Sequence, residues 1–115
     1  MKILKYLIKT QIELNLSYMP FIKGGGLFIP SHDKFQIGEP VTVELQLPGT
    51  DEIKMIEGLV VWITPINALY QIYRGIGIQF SGDNASTIHD FIKANLDNTM
   101  DVGGYAYGIV SAGKE

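Results

Sequence analysis

Alternation of apolar and polar residues runs through much of the chain and predicts β-strands. The stretch VTVELQLP at 41–48 alternates strictly, and GIGIQF at 75–80 places its large apolar residues on one face and Gly75, Gly77 and Gln79 on the other. MIEGLVVWITP at 55–65 is apolar on both faces near its end, as in a central strand, and its last residue is a proline that stops the strand.

The N-terminal part alternates as well, although less clearly. IELNLSYM at 12–19 predicts a strand, and KILKYLIK before it fits a helix or a strand. A first strand paired with 12–19 through a turn at Thr10 and Gln11 is favoured. The alternation then points Tyr18 inward and points Met19 and Phe21 outward. The facing of Tyr18 stays open, because the proline at position 20 can disturb the phase.

One segment near the C-terminus has helical spacing instead. Apolar residues recur through GDNASTIHDFIKANLDN, in which Asn84 or Ser86 can cap the first turn, at Ile88, Phe91, Ile92 and Leu96. We expect one helix at about 85–98.

Six or so short strands with turns rich in Gly, Pro and Asp predict a mainly β domain, a small antiparallel barrel or sandwich, over residues 1–98. The glycine-rich residues 99–115 are expected to form a flexible tail.

Composition narrows the functional classes. The 115 residues suit a single domain, and a net charge of −3 with Arg74 as the only arginine argues against nonspecific binding to nucleic acid. There is no cysteine, so disulfides, thiolate zinc sites and cysteine nucleophiles are excluded. No apolar run approaches the roughly 20 residues of a membrane span, so direct membrane insertion is not expected.

Candidate chemistry is sparse. His32 and His89 have no neighbouring metal-ligand residue, so a surface or capping role is expected for each, and no nucleophile with a base can be assigned. A phosphate loop would need Gly-Lys-Ser/Thr opening a helix, but Lys23 precedes the three glycines and a strand sequence follows them. The glycines therefore predict a turn or bulge that leads into a strand. We expect no enzymatic activity and no metal.

Three segments in this order resemble the PilZ domain family: KGGGLFI, EGLVVWITP and GIGIQF. The resemblance spans residues 3 to 96 and implies a six-stranded antiparallel β-barrel with one helix near its end. YMPFIKGGGLFIP at 18–30, together with VVWITP, is most similar to the single-domain members that act in type IV pilus assembly.

Most PilZ domains bind cyclic di-GMP through an arginine pair and an Asp/Asn-x-Ser-x-x-Gly turn. In this chain Phe21 stands at the Asp/Asn position, Lys23 at the Ser position and Gly26 at the glycine. No arginine precedes position 74, and lysines do not replace the planar guanidinium fork. We expect no cyclic di-GMP binding and no cofactor.

The resemblance implies a non-enzymatic adaptor in type IV pilus biogenesis and twitching motility. Its partners would be the pilus assembly ATPase, PilB, and an EAL-domain regulator of the FimX type. The location would be the cytoplasm, close to the pilus machinery at the inner membrane. Two alternatives remain: a cyclic di-GMP sensor with a degenerate motif and, least favoured, an enzyme.

The residues predicted to contact partners lie in the glycine-containing stretch and in the tail: Tyr18, Met19, Pro20, Phe21, Lys23, Tyr105 and Tyr107. Aromatic residues more often belong to the core of a small domain, and Trp62 is assigned to structure. Its parity opposes that of Leu59, which leaves open a place under the helix or on a partner surface.

Overall fold

A computed structural model of the protein describes residues 2–65 and 74–99. These residues form six strands and two helices, in the order β1 (Lys2–Leu7), α1 (Gln11–Ser17), β2 (Tyr18–Met19), β3 (Gly26–Pro30), β4 (Pro40–Gln46), β5 (Ile53–Ile63), β6 (Gly75–Phe80) and α2 (Ala85–Asn95). Within these ranges no helix is long and apolar enough to cross a membrane. Of the predicted tail, residues 100–115 lie outside the described residues.

The strands form one mixed sheet in the order β1-β4-β5-β6-β3-β2. The predicted number of strands is confirmed, but the prediction of an entirely antiparallel barrel is wrong. β1 is parallel to β4, and in residues 2–65 and 74–99 no ladder joins β1 to β2, so the sheet is open. The reason is that no hairpin follows β1. Helix α1 follows it instead, so β1 pairs with a strand that is distant in sequence.

Residues 12–17 of the predicted strand at 12–19 belong to helix α1, and only Tyr18 and Met19 are extended. The Thr10 hydroxyl accepts a hydrogen bond from the Glu13 N–H at 3.2 Å, and the Glu13 carboxylate accepts one from the Lys9 N–H at 2.9 Å. This pattern resembles a capping box, which stabilises a helix N-terminus. The buried residues of α1, Leu14 and Ser17, are three apart as in a helix.

The main core lies on one face of the sheet, between the strands and the two helices. The strands contribute the apolar faces of β4 and β6, α1 contributes Leu14, and α2 contributes Ile88 and Ile92. Helix α2 was predicted correctly, although it ends at Asn95, and Asn84 occupies the N-cap without a side-chain cap hydrogen bond. The two helices and this face of the sheet therefore enclose the main apolar core.

Amide side chains fasten α1 to the end of α2. Gln11 donates to the carbonyl of Asn95 at 2.9 Å. Asn15 donates to the carbonyl of Asp97 at 2.9 Å and accepts from the Asp97 N–H at 3.2 Å. These bonds satisfy backbone groups at the C-terminal end of α2, where a helix leaves its last carbonyls without partners.

Candidate functional site

The candidate site is the turn of residues 20–25, which joins β2 to β3 and is called here the 20–25 turn. The Gly25 N–H donates to the Ile22 carbonyl at 2.8 Å. Strand β6 holds the same turn from the side: the Gln79 amide donates to the Lys23 carbonyl at 2.8 Å, and the Phe80 N–H donates to the Gly25 carbonyl at 3.3 Å. The turn is thus fixed to a central part of the sheet.

Backbone conformation or close packing favours glycine at each of the positions 24, 25 and 26. Gly24 and Gly25 have φ angles of +77° and +88°, in the left-handed region that favours glycine. A Cβ on Gly25 would lie 2.5 Å from the ring of His89, whereas one on Gly24 would meet nothing within 4 Å. A Cβ on Gly26 would overlap the Ile78 carbonyl oxygen. The prediction of a turn leading into a strand is confirmed, and β3 follows directly.

His89 does not have the surface or capping role that the sequence suggested. Its half-buried ring packs over Gly25, and its Nε2 is hydrogen-bonded to the Tyr18 hydroxyl at 2.8 Å. The ring of Phe80 lies 6.0 Å from the His89 ring, centroid to centroid. Tyr18 packs against the main core and is half-buried, and burial raises the pKa of its phenol above the ordinary value of 10.0.

Met19 is buried, with only 1% of its surface exposed, so its outward direction does not make it accessible to solvent. It does lie on the sheet face opposite the main core, where Met19, Phe28 and Trp62 form a group called here the outer cluster. A Cβ on Gly77 would lie 2.9 Å from the Met19 sulfur and 3.1 Å from the Trp62 Cβ. The Phe28 and Trp62 rings are 6.1 Å apart. Glycine at position 77 therefore makes room for this cluster.

A β-bulge explains why the parity of Trp62 was predicted wrongly. Leu59 pairs with Gln79 on the outer face, but the register of β5 shifts between Val60 and Trp62. The extra residue brings Trp62 opposite Gly77, on the same face as Leu59 and away from α2. Trp62 is half-buried in the outer cluster, which fits its assignment to structure.

The predicted partner-contact residues differ in accessibility. Pro20, Phe21 and Lys23 are exposed at the tip of the 20–25 turn, with 59% of Phe21 open to solvent. Tyr18 is half-buried, Met19 is buried, and Tyr105 and Tyr107 lie outside the described residues. The tip therefore offers apolar surface and one ammonium group on a rigid base.

The degenerate nucleotide motif spans the 20–25 turn and the first residue of β3. Phe21, Lys23 and Gly26 occupy its three positions, while Arg74 lies next to the Pro30–Gly75 pair, at the other end of the β3–β6 ladder from Gly26. Among the residues that the structure describes, no guanidinium group stands beside the turn, and no group of three or more His, Asp or Glu side chains could hold a metal ion.

Two residues that support the turn were missed by the sequence reasoning. Gln79 holds the Lys23 carbonyl, and His89 packs over Gly25. Gln79 could have been noticed, because it is the one polar side chain in GIGIQF at 75–80. The contact of His89 with Gly25 has no local signal in the sequence, because α2 is distant from the turn along the chain and the two come together only in the folded protein.

Comparison with known protein families matches residues 6–94 to the PilZ domain, which is more than half of the chain. No match is found among curated proteins. The matched range contains the sheet from β2 to β6, both helices except the last residue of α2, and the whole 20–25 turn. The chain is therefore a member of the PilZ domain family.

Proposed function

We propose that this protein is a non-enzymatic adaptor that binds partner proteins through the exposed tip of the 20–25 turn and does not bind cyclic di-GMP. The PilZ family supports the general role, because its members are binding and adaptor domains. The observation that carries the proposal is Phe21, which is 59% exposed where the nucleotide motif of the family has Asp or Asn.

The side chains of the tip suit a protein better than a nucleotide. A dinucleotide carries phosphates and guanine edges, which are best held by guanidinium groups and by polar acceptors and donors. Phe21 offers neither, Lys23 offers one exposed ammonium, and Arg74 lies at the far end of the β3–β6 ladder. Aromatic side chains, in contrast, are common at the centres of protein interfaces.

The turn is also rigid enough to bind without much ordering. Its carbonyls at Lys23 and Gly25 accept hydrogen bonds from β6, and Gly25 packs against the His89 ring. A fixed turn loses less conformational entropy on association than a mobile loop does. An exposed aromatic residue on such a base can contribute strongly to affinity.

The partners proposed are the pilus assembly ATPase of the PilB type and an EAL-domain regulator of the FimX type. This choice rests on the similarity of residues 18–30 and of VVWITP to family members that act in type IV pilus assembly. The adaptor would then serve pilus biogenesis and twitching motility in the cytoplasm, near the inner-membrane pilus machinery.

The experiment compares Phe21→Ser with Ile37→Ser as a matched control. Ile37 is 65% exposed in a different loop, so both changes remove a large exposed apolar group and should leave the melting temperature nearly unchanged. Affinity for the ATPase or the regulator, measured by calorimetry, should fall at least tenfold for Phe21→Ser, or about 1.4 kcal/mol. Wild-type affinity in the Phe21→Ser variant for both partners would refute the proposal.

The alternative function is a cyclic di-GMP sensor with a degenerate motif. Gly26 is the one motif residue that this chain retains, and it keeps the backbone of β3 close to Ile78. Titration of the full chain with cyclic di-GMP in a calorimeter separates the two functions. No heat of binding is expected up to about 100 μM ligand, and low-micromolar affinity would favour the sensor.

A further inference from the structure

Strand β1 forms one edge of the sheet, and among residues 2–65 and 74–99 only β4 pairs with it. The Ile8 N–H donates to the Gln46 carbonyl at 2.9 Å, at the end of this parallel ladder. In a parallel strand every second residue directs both its N–H and its C=O to the same neighbour. Ile3, Lys5 and Leu7 therefore direct their backbone groups to the open edge.

The side chains of the same three residues are exposed. Ile3 and Leu7 have 62% and 50% of their surface open to solvent, while Tyr6 between them and on the other face is buried in the main core. The open edge thus presents a cation between two apolar groups, each two residues apart. Unpaired backbone groups beside exposed apolar side chains form a template for another strand.

The charge of Lys5 is available to such a strand. In the described residues the ion pairs are Lys2 with Glu39 and Lys93 with Asp90, so Lys5 has none. Lys2 is further engaged by the Lys34 carbonyl, to which it donates, and by the ring of Phe35, 4.3 Å from its Nζ. Within residues 2–65 and 74–99, Lys5 is thus the cation of the β1 edge without an ion pair, although Glu44 lies opposite it in the β1–β4 ladder.

We propose that the β1 edge binds an extended segment of a partner protein as an added antiparallel strand with the pattern apolar-x-acidic-x-apolar. The acidic residue lies opposite Lys5, and the apolar residues lie opposite Ile3 and Leu7. Backbone hydrogen bonds provide affinity and the side-chain pattern provides specificity, as in other strand additions. Opposite charges in facing positions stabilise a strand pair.

A second copy of this chain fits the edge less well. A two-fold antiparallel pairing that matches Ile3 with Leu7 places the Lys5 side chains of the two copies directly opposite each other, and like charges in that position are destabilising. The β1 edge is also at the other end of the strand order from the 20–25 turn. The inference therefore does not depend on the function proposed for that turn.

The test is a titration of the full ¹⁵N-labelled chain with the peptides TVTETVT and TVTKTVT, in which binding is monitored through the amide chemical shifts. The first peptide should shift the amides of Ile3, Lys5 and Leu7, and the second should bind at least about fivefold more weakly. Lys5→Glu should reverse this preference. Because both peptides are titrated into the same Lys5→Glu variant, the difference between their affinities does not depend on a change in the fold.

Ile3→Pro tests the backbone contribution, because it removes an edge N–H without removing a bond to β4. Binding of TVTETVT should fall at least about fivefold in that variant. Equal binding of the two peptides to the wild type, or shifts confined to other strands, would overturn the proposal. Concentration-dependent shifts of the β1 amides without peptide would assign the edge to a second copy and would also overturn it.

Discussion

The two ends of the sheet are built in different ways. At one end β1 runs for six residues, and its only partner among the described residues is β4, along one side. At the other end β2 has only two residues, which pair with β3 and are also held by side chains: Tyr18 by His89 and Met19 by the outer cluster over Gly77. The β1 end therefore exposes backbone groups, whereas the β2 end exposes side chains on a fixed turn.

This difference separates stability from recognition at the β2 end. Two residues close together in YMPFIKGGGLFIP differ in accessibility, since Met19 is buried and Phe21 is 59% exposed. A substitution of Met19 should unfold the end of the sheet, and a substitution of Phe21 should change only the surface. The β1 end has no such division, because its exposed side chains belong to the same residues as the backbone groups that find no partner in the described part of the chain.

Met19→Ala should have the largest effect, because Met19 is buried over Gly77 and truncation leaves a cavity in the outer cluster. A loss of roughly 3 kcal/mol in the free energy of unfolding is expected. Urea unfolding measures it, and Phe21→Ala is the matched control, expected to change stability by less than about 0.5 kcal/mol. Similar losses in the two variants would show that Met19 is not part of a packed cluster.

Gly25→Ala should be next, with a loss of roughly 2 kcal/mol, because the residue adopts a left-handed φ and its new Cβ would displace the His89 ring. Gly24→Ala has similar strain but open space around it, so about 1 kcal/mol is expected. Thermal unfolding of the two variants gives the comparison. If Gly24→Ala were the more destabilising, packing against His89 would not be what fixes the turn.

The parts of the fold that sequence predicted correctly carry strong local signals. Strict alternation identified β4 and β6, and helical spacing of apolar residues identified α2. Gly24 and Gly25 were correctly assigned to a turn, because a strand sequence follows them instead of a helix, and Gly26 is the first residue of that strand.

The parts that were missed depend on weak or distant signals. Seven residues are too few to separate helical from alternating spacing in α1, and the informative signal was the Thr10 and Glu13 capping pattern. The pairing of β1 with β4 and the burial of Met19 over Gly77 join residues far apart in sequence. The bulge before Trp62 reverses parity by a single residue, which alternation alone does not reveal.

Thr10→Ala tests the helix that connects the two ends. The Thr10 hydroxyl is a side-chain cap of α1, accepting from the Glu13 N–H, so about 1 kcal/mol of unfolding free energy should be lost. Thr10→Ser keeps the acceptor and is expected to retain most of that stability. Helical content by circular dichroism and urea unfolding provide the measurements. An equal loss in the Ser and Ala variants would mean that the methyl group, and not the cap, is what matters.

The smallest expected effect is a pH dependence at the β2 end. Burial raises the pKa of Tyr18 above 10.0, so folding favours the neutral phenol, and this stabilisation is present below pH 10 and lost as the pH rises through the folded-state pKa. Comparing Tyr18→Phe with the wild type cancels the titration of the other tyrosines. Between pH 8 and pH 11 the unfolding free energy of the wild type, measured in urea, should fall relative to that of the Tyr18→Phe variant. A constant difference would mean that the phenol is equally solvated in both states, and Tyr18 would then belong to the exposed tip with Phe21.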